Sequence, residues 1–568
     1  MRKIVVASLI CWTLLGAAEA RGQLLTVGDF DLSLTETFFV DFHQGRLKSD
    51  VAPAKDFNFM LFRNRLNVVL SSSWLEAGMR IDTAYFLAVT DGGRLSDNAD
   101  DGTWDDLFDN KYDNDIDFMP EKSYLPEKLY LSVRKRNFSM DLGDFYATLG
   151  KGIALSIKKV DELSTDTTLR GAKAVYRDQY LSLTALGGFS NIVNVGDLIL
   201  ERFDDPNDLI VGMEMKVRPI DWLEFGIHGS LIKDNEDYQH VATSGDYQRD
   251  QLAVLGTAVT IPDLAGVFSL NVEYDYLTNE VARFFYDNDA GRISYPGQEN
   301  SGHALYSMLS GNWSIFHLIT EFKFYKGFKD TGVVGKEIIG SGGITDLVYY
   351  GALPPLEDPG LFLRPDFYDQ WGVRVRLDTE IPATNSIVFV SYAHADDLED
   401  HPFPGAESYV KHVIAGVEQR VEHLSIVGKL AGGYRMDKFS YEWDHRMWHI
   451  DGELHFSIIG PHSMELLGRY ESYSDQQPNI ADFSIAKSTV TYTFAPWVTT
   501  SLNYEFSNQP PTEGQEHFLS GEVVVRFMSA SYIKLLYGST RGGLRCAGGM
   551  CRVFPKFEGF KGEVTVRF

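Results

Sequence analysis

The sequence is poor in the features that mark helical membrane proteins and cysteine-rich domains. Beyond the N-terminus, no apolar run is long enough to cross a bilayer as a helix. Only 3 cysteines occur in 568 residues, which excludes a disulfide-rich scaffold and a cysteine-based zinc cluster. No proline- or serine-rich linker divides the chain, so we expect one continuous domain rather than several.

Sequence motifs of common enzymes are also missing. Neither Gly-x-Ser-x-Gly nor His-Glu-x-x-His occurs. The stretches "LGKGIA" and "VVGKEI" lack the Ser or Thr that completes a phosphate-binding loop. The chain is therefore not expected to be an enzyme.

Basic residues are too few for a nucleic-acid partner. The chain has 79 acidic against 52 basic residues and a formal net charge of -27.

The N-terminus has the layout of an export signal. Arg2 and Lys3 precede the apolar run "IVVASLICWTLLGAA" and the small-x-small site "AEA". This pattern predicts a secretory signal peptide over residues 1–20 and a mature domain over residues 21–568.

Strict alternation of apolar and polar residues is the most abundant pattern. In "VTTSLNYEFSN", Leu502 and Tyr504 fall on one face, while Ser501, Asn503 and Glu505 fall on the other. The stretches "AKSTVTYTF" and "VFSLNVEYDY" alternate in the same way. Side chains in a strand have a period of two, so these segments predict two-faced strands. At about ten residues they are longer than the usual globular strand.

Short turns alternate with long polar segments along the chain. Eleven short turns are predicted at residues 71–74, 135–138, 177–180, 218–222, 261–266, 311–314, 381–385, 421–424, 459–463, 495–497 and 528–531. Longer segments, such as 91–127, 192–208 and 327–366, lie between them. Eleven hairpins with a first and a last strand give about 24 strands, in a range of about 22 to 26.

The most economical fold for this pattern is a membrane barrel. Aromatic residues such as Tyr276, Phe494 and Phe506 stand at strand ends, where membrane barrels carry their aromatic girdles. A closed barrel also leaves no unpaired strand edge in hydrocarbon. We therefore predict an all-β, transmembrane, up-and-down antiparallel β-barrel with long extracellular loops. No plug domain is expected, because the first strand-like segment begins at about Leu25.

The last residues, "KGEVTVRF", resemble the C-terminal assembly signal of outer-membrane β-barrel proteins. Phe568, Val566, Val564 and Phe560 occupy the alternate positions of that signal. The resemblance implies the outer membrane of a Gram-negative bacterium as the location. It also implies contact with outer-membrane lipid, with lipopolysaccharide and, during biogenesis, with the barrel-assembly machinery.

A second resemblance covers residues 142–176, "LGDFYATLGKGIALSIKKVDELSTDTTLRGAKAVY". This stretch resembles a family of large bacterial outer-membrane barrels of unknown function. The matching positions are Gly143, Asp144, Phe145, Tyr146, Gly150, Gly152, Glu162, Leu163 and Gly171. The resemblance implies a location and a fold but no activity. Within it, "GKGIALSIKK" is compatible with an extra strand or with a loop that folds inward.

An acidic segment between two predicted strands raises the question of calcium. Its candidate ligands are Asp97, Asp101, Asp113, Asp115 and Asp117. An EF-hand starting at Asp97 fails at Ala99 and Phe108, and one starting at Asp113 meets Phe118 where glycine is required. A solvated acidic loop is favoured, with loosely bound calcium as the alternative. No other cofactor is expected.

Two other loops carry candidate functional residues. Cys546 and Cys551 flank "AGGM" and predict a disulfide that closes a small loop. The segment 327–366 is too apolar for a disordered tail and predicts a constriction of the lumen, a cover over it, or an outward loop packed on its neighbours. Its candidate constriction residues are Tyr349, Tyr350, Leu353, Glu357 and Asp358.

The predicted lumen suggests transport. The inward-facing charged residues include Glu273, Asp275, Arg469, Glu471, Glu505 and Arg567. Their acidic excess predicts a passive channel for small solutes with a loop-narrowed acidic lumen that favours cations. The alternative is a non-conducting barrel whose loops hold a surface or periplasmic protein partner.

Overall fold

The described part of the chain is almost entirely β-structure. The computed structural model describes residues 25–47, 55–88, 125–163, 165–192, 207–233, 247–287, 291–328, 336–339, 345–348, 350–351, 354, 370–398, 409–439, 443–475, 482–509, 516–528, 530–547, 550–554 and 557–567. Residues 1–20 lie outside this part, so the signal peptide stays a prediction. No helix among the described residues has the length and apolar character needed to cross a membrane.

The described strands form one large antiparallel sheet of 25 strands, of which Leu25–Val27 pairs only with residues 30–32 at the start of the next strand. The other 24 strands, numbered in chain order, are β1 (Phe30–Leu47), β2 (Lys55–Ser71), β3 (Leu75–Ala88), β4 (Leu125–Lys135), β5 (Phe138–Phe145), β6 (Thr168–Arg177), β7 (Leu181–Asn191), β8 (Leu209–Ile220), β9 (Leu223–Lys233), β10 (Tyr247–Leu264), β11 (Phe268–Asp287), β12 (Gly291–Trp313), β13 (Phe316–Lys326), β14 (Gln370–Ile381), β15 (Ser386–Asp397), β16 (Tyr409–Val421), β17 (Ile426–Phe439), β18 (Trp443–Ser457), β19 (His462–Asp475), β20 (Phe483–Phe494), β21 (Val498–Ser507), β22 (His517–Met528), β23 (Ser531–Thr540) and β24 (Phe557–Arg567).

Short elements outside the barrel wall complete the described structure. They are the strands Ala147–Leu149, Leu155–Ile157, Lys159–Val160, Thr165–Asp166, Lys336–Ile339, Thr345–Val348, Gly543–Ala547 and Met550–Phe554, and the 3-10 helices Asp161–Leu163 and Glu422–Leu424. All of these except Glu422–Leu424, which is a short turn, lie in the long loops.

The sheet closes on itself. Each strand pairs with its neighbour in sequence, and β24 pairs back with β1 from Thr35 opposite Arg567 to His43 opposite Gly559. The predicted all-β antiparallel barrel of about 24 strands is therefore confirmed over the described residues. The predicted absence of a plug domain stays a prediction.

The eleven predicted short turns all fall between consecutive barrel strands. They connect β2 to β3 and then every second pair of strands up to β22 and β23, which leaves the long loops at the opposite end. The first barrel strand begins at Phe30 rather than near Leu25, because the chain turns at Gly28 and pairs Leu25–Val27 back on β1. The last strand begins at Phe557, because Met550–Phe554 belongs to a separate hairpin.

The two faces of the wall differ as the alternation predicts. Outward-facing residues such as Met213 and Leu255 are 62% exposed, while Glu214 and Val254 beside them are buried on the inner side. An apolar outer face on a closed barrel is the surface that a hydrocarbon environment requires. The polar side chains line the lumen.

One loop folds into this lumen. The inward loop, residues 146–167, connects β5 to β6 and packs against the inner face of β8–β13. Its fully buried residues are Leu149, Ile153, Leu155 and Ile157, and the wall residues of the same cluster include Ile210, Ile232, Leu252, Leu277 and Tyr325. The stretch "GKGIALSIKK" is thus an inward loop and not an additional barrel strand.

The loop leaves the wall at a position that needs glycine. Gly143 has a φ of +87°, a region that side chains disfavour. A Cβ there would lie 2.0 Å from the carbonyl oxygen of Leu129. This glycine belongs to the stretch with the family resemblance, so its occurrence there has a local steric reason.

Candidate functional site in the barrel lumen

Most of the residues proposed from sequence for calcium or constriction lie outside the described residues. These are Asp97, Asp101, Asp113, Asp115, Asp117, Tyr349, Leu353, Glu357 and Asp358, together with the terminal Phe568. The loosely bound calcium therefore stays a prediction.

Tyr350 is the described member of the proposed constriction, and it contacts the inward loop. Its side chain is fully buried in the same apolar cluster as Leu155. Its carbonyl oxygen accepts a hydrogen bond of 2.7 Å from the backbone N–H of Ser156. Its hydroxyl donates to Asp208, close to the start of β8. Tyr350 thus attaches the loop after β13 to the inward loop.

The two cysteines lie in one hairpin. Gly543–Ala547 pairs with Met550–Phe554, and Cys546 stands directly opposite Cys551. Opposed Cα atoms in an antiparallel pair are about 4.5–5.5 Å apart, which is within the range that a disulfide bridges. The backbone is compatible with the predicted disulfide, which stays a prediction.

The described residues of the C-terminal assembly signal lie on the strand that closes the barrel. Phe560, Val564 and Val566 alternate with Thr565, which is buried and donates to Thr37 across the closing pair of strands. The alternate positions of the signal therefore face outward.

A cluster of charged groups holds the returning end of the inward loop. Asp166 accepts hydrogen bonds from Arg80 at 2.8 Å, from Lys128 at 2.5 Å and from the hydroxyl of Tyr146 at 2.6 Å. Burial opposes ionisation of Asp166, but the charge of Lys128, its hydrogen bonds and the charge of Arg80 outweigh burial and lower its pKa to about 2. Asp82 shares Arg80 through a second ion pair. The loop is thus fixed to β3 and β4 by buried charges.

Polar wall residues hold the outgoing end of the loop by its backbone. The N–H of Gly150 donates to Glu214 at 3.0 Å, and the N–H of Lys151 donates to Glu273 at 2.9 Å. Further along, the hydroxyl of Ser230 donates to the carbonyl of Ala154 at 2.6 Å. The inward loop therefore spans the lumen as a chord from β3–β4 to β11.

Beside Glu273 lies a buried group of possible metal ligands. Nε2 of His228 is 2.8 Å from Oδ1 of Asp275 and 3.8 Å from Oε1 of Glu273. The exposed fractions of His228, Glu273 and Asp275 are 2%, 1% and 0%. The alternation pattern predicted Glu273 and Asp275 as inward-facing charges, but His228 was not recognised as their neighbour. The alternation of β9, which places His228 between the inward-facing Gly226 and Ser230, could have indicated it.

A second feature of the lumen is a charged cavity on the wall formed by β14–β20. It has a volume of about 430 Å³. Its basic lining residues are Arg374, Arg376, Lys429, Arg469 and Lys487, and its acidic ones are Asp451 and Glu453. The acidic lumen predicted from sequence therefore describes the wall under the inward loop, whereas this cavity carries more basic than acidic groups.

The arginines of this cavity are neutralised by partners. Arg374 pairs with Glu321 at 3.0 Å, Arg376 with Asp378 at 2.9 Å, and Arg469 with Glu471 at 2.6 Å. Among the described residues, Lys429 and Lys487 form no ion pair within 4.0 Å, so they are the basic groups of this cavity that remain unpaired.

Three long loops meet near the loop end of the barrel. The hairpin strand Gly543–Ala547 contacts the 3-10 helix Asp161–Leu163 of the inward loop. Its partner strand, Met550–Phe554, contacts Thr345–Val348 from the loop after β13. Three loops that start from separate parts of the wall are therefore in contact with one another.

The C-terminal part of the chain matches a known family. Residues 475–568, from the end of β19 to the end of the chain, match the family described as "Family of unknown function (DUF6029)". This match lies apart from the stretch 142–176 whose resemblance the sequence suggested. No curated protein matches the chain.

Solved structures with a similar fold include receptors and porins. The siderophore receptor PirA from Pseudomonas aeruginosa is 9% identical, with 94% of this chain and 80% of PirA covered at a TM-score of 0.45. OpdQ from Pseudomonas aeruginosa is 11% identical, with 79% of this chain and 100% of OpdQ covered at a TM-score of 0.37. A BenF-like porin from Pseudomonas fluorescens Pf-5 is 11% identical, with 73% of this chain and 95% of the porin covered at a TM-score of 0.36.

Proposed function

We propose that this chain is an integral outer-membrane protein that passes small, negatively charged solutes passively through a loop-narrowed lumen. The apolar outer face and the closed strand pairing support the membrane location, because only a closed barrel satisfies every backbone group of a spanning sheet. The protein is not proposed to be an enzyme. Its expected surroundings are outer-membrane lipid and lipopolysaccharide.

The charged cavity carries the transport proposal. It is large enough for a small hydrated solute at about 430 Å³, and it is lined by side chains of the lumen face. The unpaired lysines Lys429 and Lys487 favour an anion there, since rings and clusters of one charge sign set the selectivity of a pore. The acidic Glu273 and Asp275 are buried beneath the inward loop and are not accessible to a passing solute. For this reason we favour anions over the cations expected from sequence.

A second candidate function rests on the loop contacts at the entrance. The strand Gly543–Ala547 contacts Asp161–Leu163 of the inward loop. We infer that such loop contacts narrow the opening, which favours a closed barrel that binds a surface or periplasmic partner. Under this alternative the folded protein does not conduct ions.

Conductance of the purified barrel in a planar bilayer tests both candidates. A channel is expected to give stable steps, and replacing residues 150–163 by a short Gly-Ser linker is expected to enlarge them because the chord across the lumen is removed. The exposed-loop variant Asp161→Asn is the control and should conduct like wild type. Folded wild-type protein that shows no steps, while the linker variant conducts, would favour the scaffold.

The charge preference has its own test. In a salt gradient, the reversal potential of wild type is expected to indicate anion preference, and the double variant Lys429→Gln and Lys487→Gln should lose it. Lys534, which pairs with Glu522 on another part of the wall, provides the control variant Lys534→Gln. Cation preference in the wild-type channel would refute the assignment of the cavity as the path.

A further inference from the structure

We propose that His228, Glu273 and Asp275 form a binding site for one divalent transition-metal ion, of which zinc is the natural probe. The three residues come from the lumen faces of β9 and β11. One ligand atom from each lies within 4.8 Å of the other two. An imidazole nitrogen with two carboxylate oxygens is a donor set that zinc, manganese and iron accept.

The strand register explains how these residues meet. His228 stands opposite Gly256 on β10, and Gly256 stands opposite Asp275 on β11. A side chain at the middle position would separate them. A Cβ on Gly256 would lie 2.1 Å from Nε2 of His228 and 2.2 Å from Oδ1 of Asp275. The glycine therefore leaves a space between two ligands on strands that are not neighbours.

The two distances from His228 are compatible with a shared metal ion. With bonds of about 2.1 Å to each donor, His228 and Asp275 at 2.8 Å would subtend about 85° and His228 and Glu273 at 3.8 Å about 130° at the ion. Both angles occur in sites with four to six ligands.

Charge balance gives an independent reason to expect a cation. The neighbouring carboxylate Glu214 is paired with Lys216 at 2.9 Å. By contrast, no Lys or Arg side chain among the described residues forms an ion pair within 4.0 Å with Glu273 or Asp275. The side chain of His228 is the ion-pair partner that these two carboxylates have. When both carboxylates are ionised, this group is net negative even with a protonated imidazole, and uncompensated buried charge is costly.

One oxygen at the site also lacks a hydrogen-bond donor. Oδ2 of Asp275 is fully buried and accepts no hydrogen bond from the described residues. Buried polar atoms are nearly always satisfied in native proteins, so an orphaned carboxylate oxygen points to a ligand. A metal ion bound through the carboxylate of Asp275 would supply the missing interaction.

Bound zinc per folded chain is the deciding measurement. Purified barrel is treated with chelator, dialysed against micromolar zinc and analysed for metal, with folding verified by heat-dependent mobility on a gel. Wild type is expected to retain one zinc ion. His228→Gln and Asp275→Asn are expected to lower the affinity about a hundredfold or more, since ligands contribute more than the outer groups that orient them. This readout is independent of conduction, so it can fail without the transport proposal failing.

A matched control is available on the same lumen face. Glu453, His455 and Glu465 form a second such group, which is only half-buried. His455→Gln should leave the bound zinc unchanged. Wild-type protein without zinc, or loss of zinc in His455→Gln but not in His228→Gln, would overturn the proposal.

A further variant guards against misfolding of the ligand variants. Gly256→Ala keeps all three ligands but places a methyl group between two of them. In folded Gly256→Ala the zinc affinity is expected to fall at least about tenfold. Unchanged zinc binding in that variant would overturn the site.

Discussion

Removing the carboxylate of Asp166 should release the inward loop from the barrel wall. The substitution Asp166→Asn deletes the acceptor shared by Arg80, Lys128 and Tyr146, all within 2.8 Å. The pKa of Asp166 is about 2, whereas a free aspartate carboxyl group has a pKa of 3.8. At 1.36 kcal/mol per pKa unit, this difference corresponds to about 2–3 kcal/mol of docking free energy, or about sixtyfold in the docking equilibrium.

Amide hydrogen exchange of the inward loop measures this equilibrium directly. The N–H groups of Lys151 and Ser156 are protected only while they donate to Glu273 and Tyr350. Where opening precedes exchange, this loss accelerates their exchange about sixtyfold. The control is Asp161→Asn on the same loop, because the side chain of Asp161 is 78% exposed and its ion pair with Lys159 contributes little.

The pH dependence follows from the same pKa shift. Because the folded pKa of about 2 lies below 3.8, ionised Asp166 stabilises the docked loop fully above about pH 5. This contribution falls as the pH drops from about 4 through 2. The contribution of Asp166 to protection, corrected for the intrinsic exchange rate, should therefore be constant from about pH 5 to 8. If Asp166→Asn exchanges at the wild-type rate at pH 7, buried charge does not hold the loop.

Three further outcomes test the packing, the outer face and the cysteine hairpin. Leu155→Ala should weaken loop docking by about 2–5 kcal/mol in the same exchange experiment, while Leu255→Ala on the outer face should not. Leu502→Arg should lower the barrel's unfolding free energy in urea by about 2–4 kcal/mol, while Asn503→Arg on the lumen face should be tolerated. Cys546→Ser should leave assembly intact on a heat-mobility gel, since a disulfide there closes only a short loop; an unassembled barrel would contradict this.

The barrel wall was predictable because its information is local. In a strand such as Val498–Ser507, the alternation of the strand's own residues defines both faces. The turn at residues 495–497, just before it, is also recognised from local sequence. The strand ends were less predictable. Leu25–Val27 alternates like a barrel strand, yet the chain turns at Gly28 and folds it back, which is a tertiary outcome that the pattern does not contain.

The lumen sites were only partly predictable because they depend on register. Glu273 and Asp275 could be assigned to the inner face by period two, but their neighbour His228 is 47 residues from Asp275 in sequence. Which residue of β9 lies level with Asp275 is decided by two strand pairings. The same holds for the charged cavity. Lys429 of β17 and Lys487 of β20 line it together, although these two strands are not neighbours in the sheet.

Loop docking and metal binding should be coupled, because Glu273 takes part in both. Its carboxylate accepts the N–H of Lys151 and also lies 3.8 Å from His228. A bound ion would fix that carboxylate in the orientation that the loop requires. By linkage, whatever factor the metal adds to docking, docking adds to metal affinity. Asp166→Asn leaves every proposed ligand in place, yet we expect it to weaken zinc binding, and zinc should slow the exchange of Lys151. If zinc affinity is the same in Asp166→Asn and zinc leaves the exchange unchanged, the site and the loop act independently.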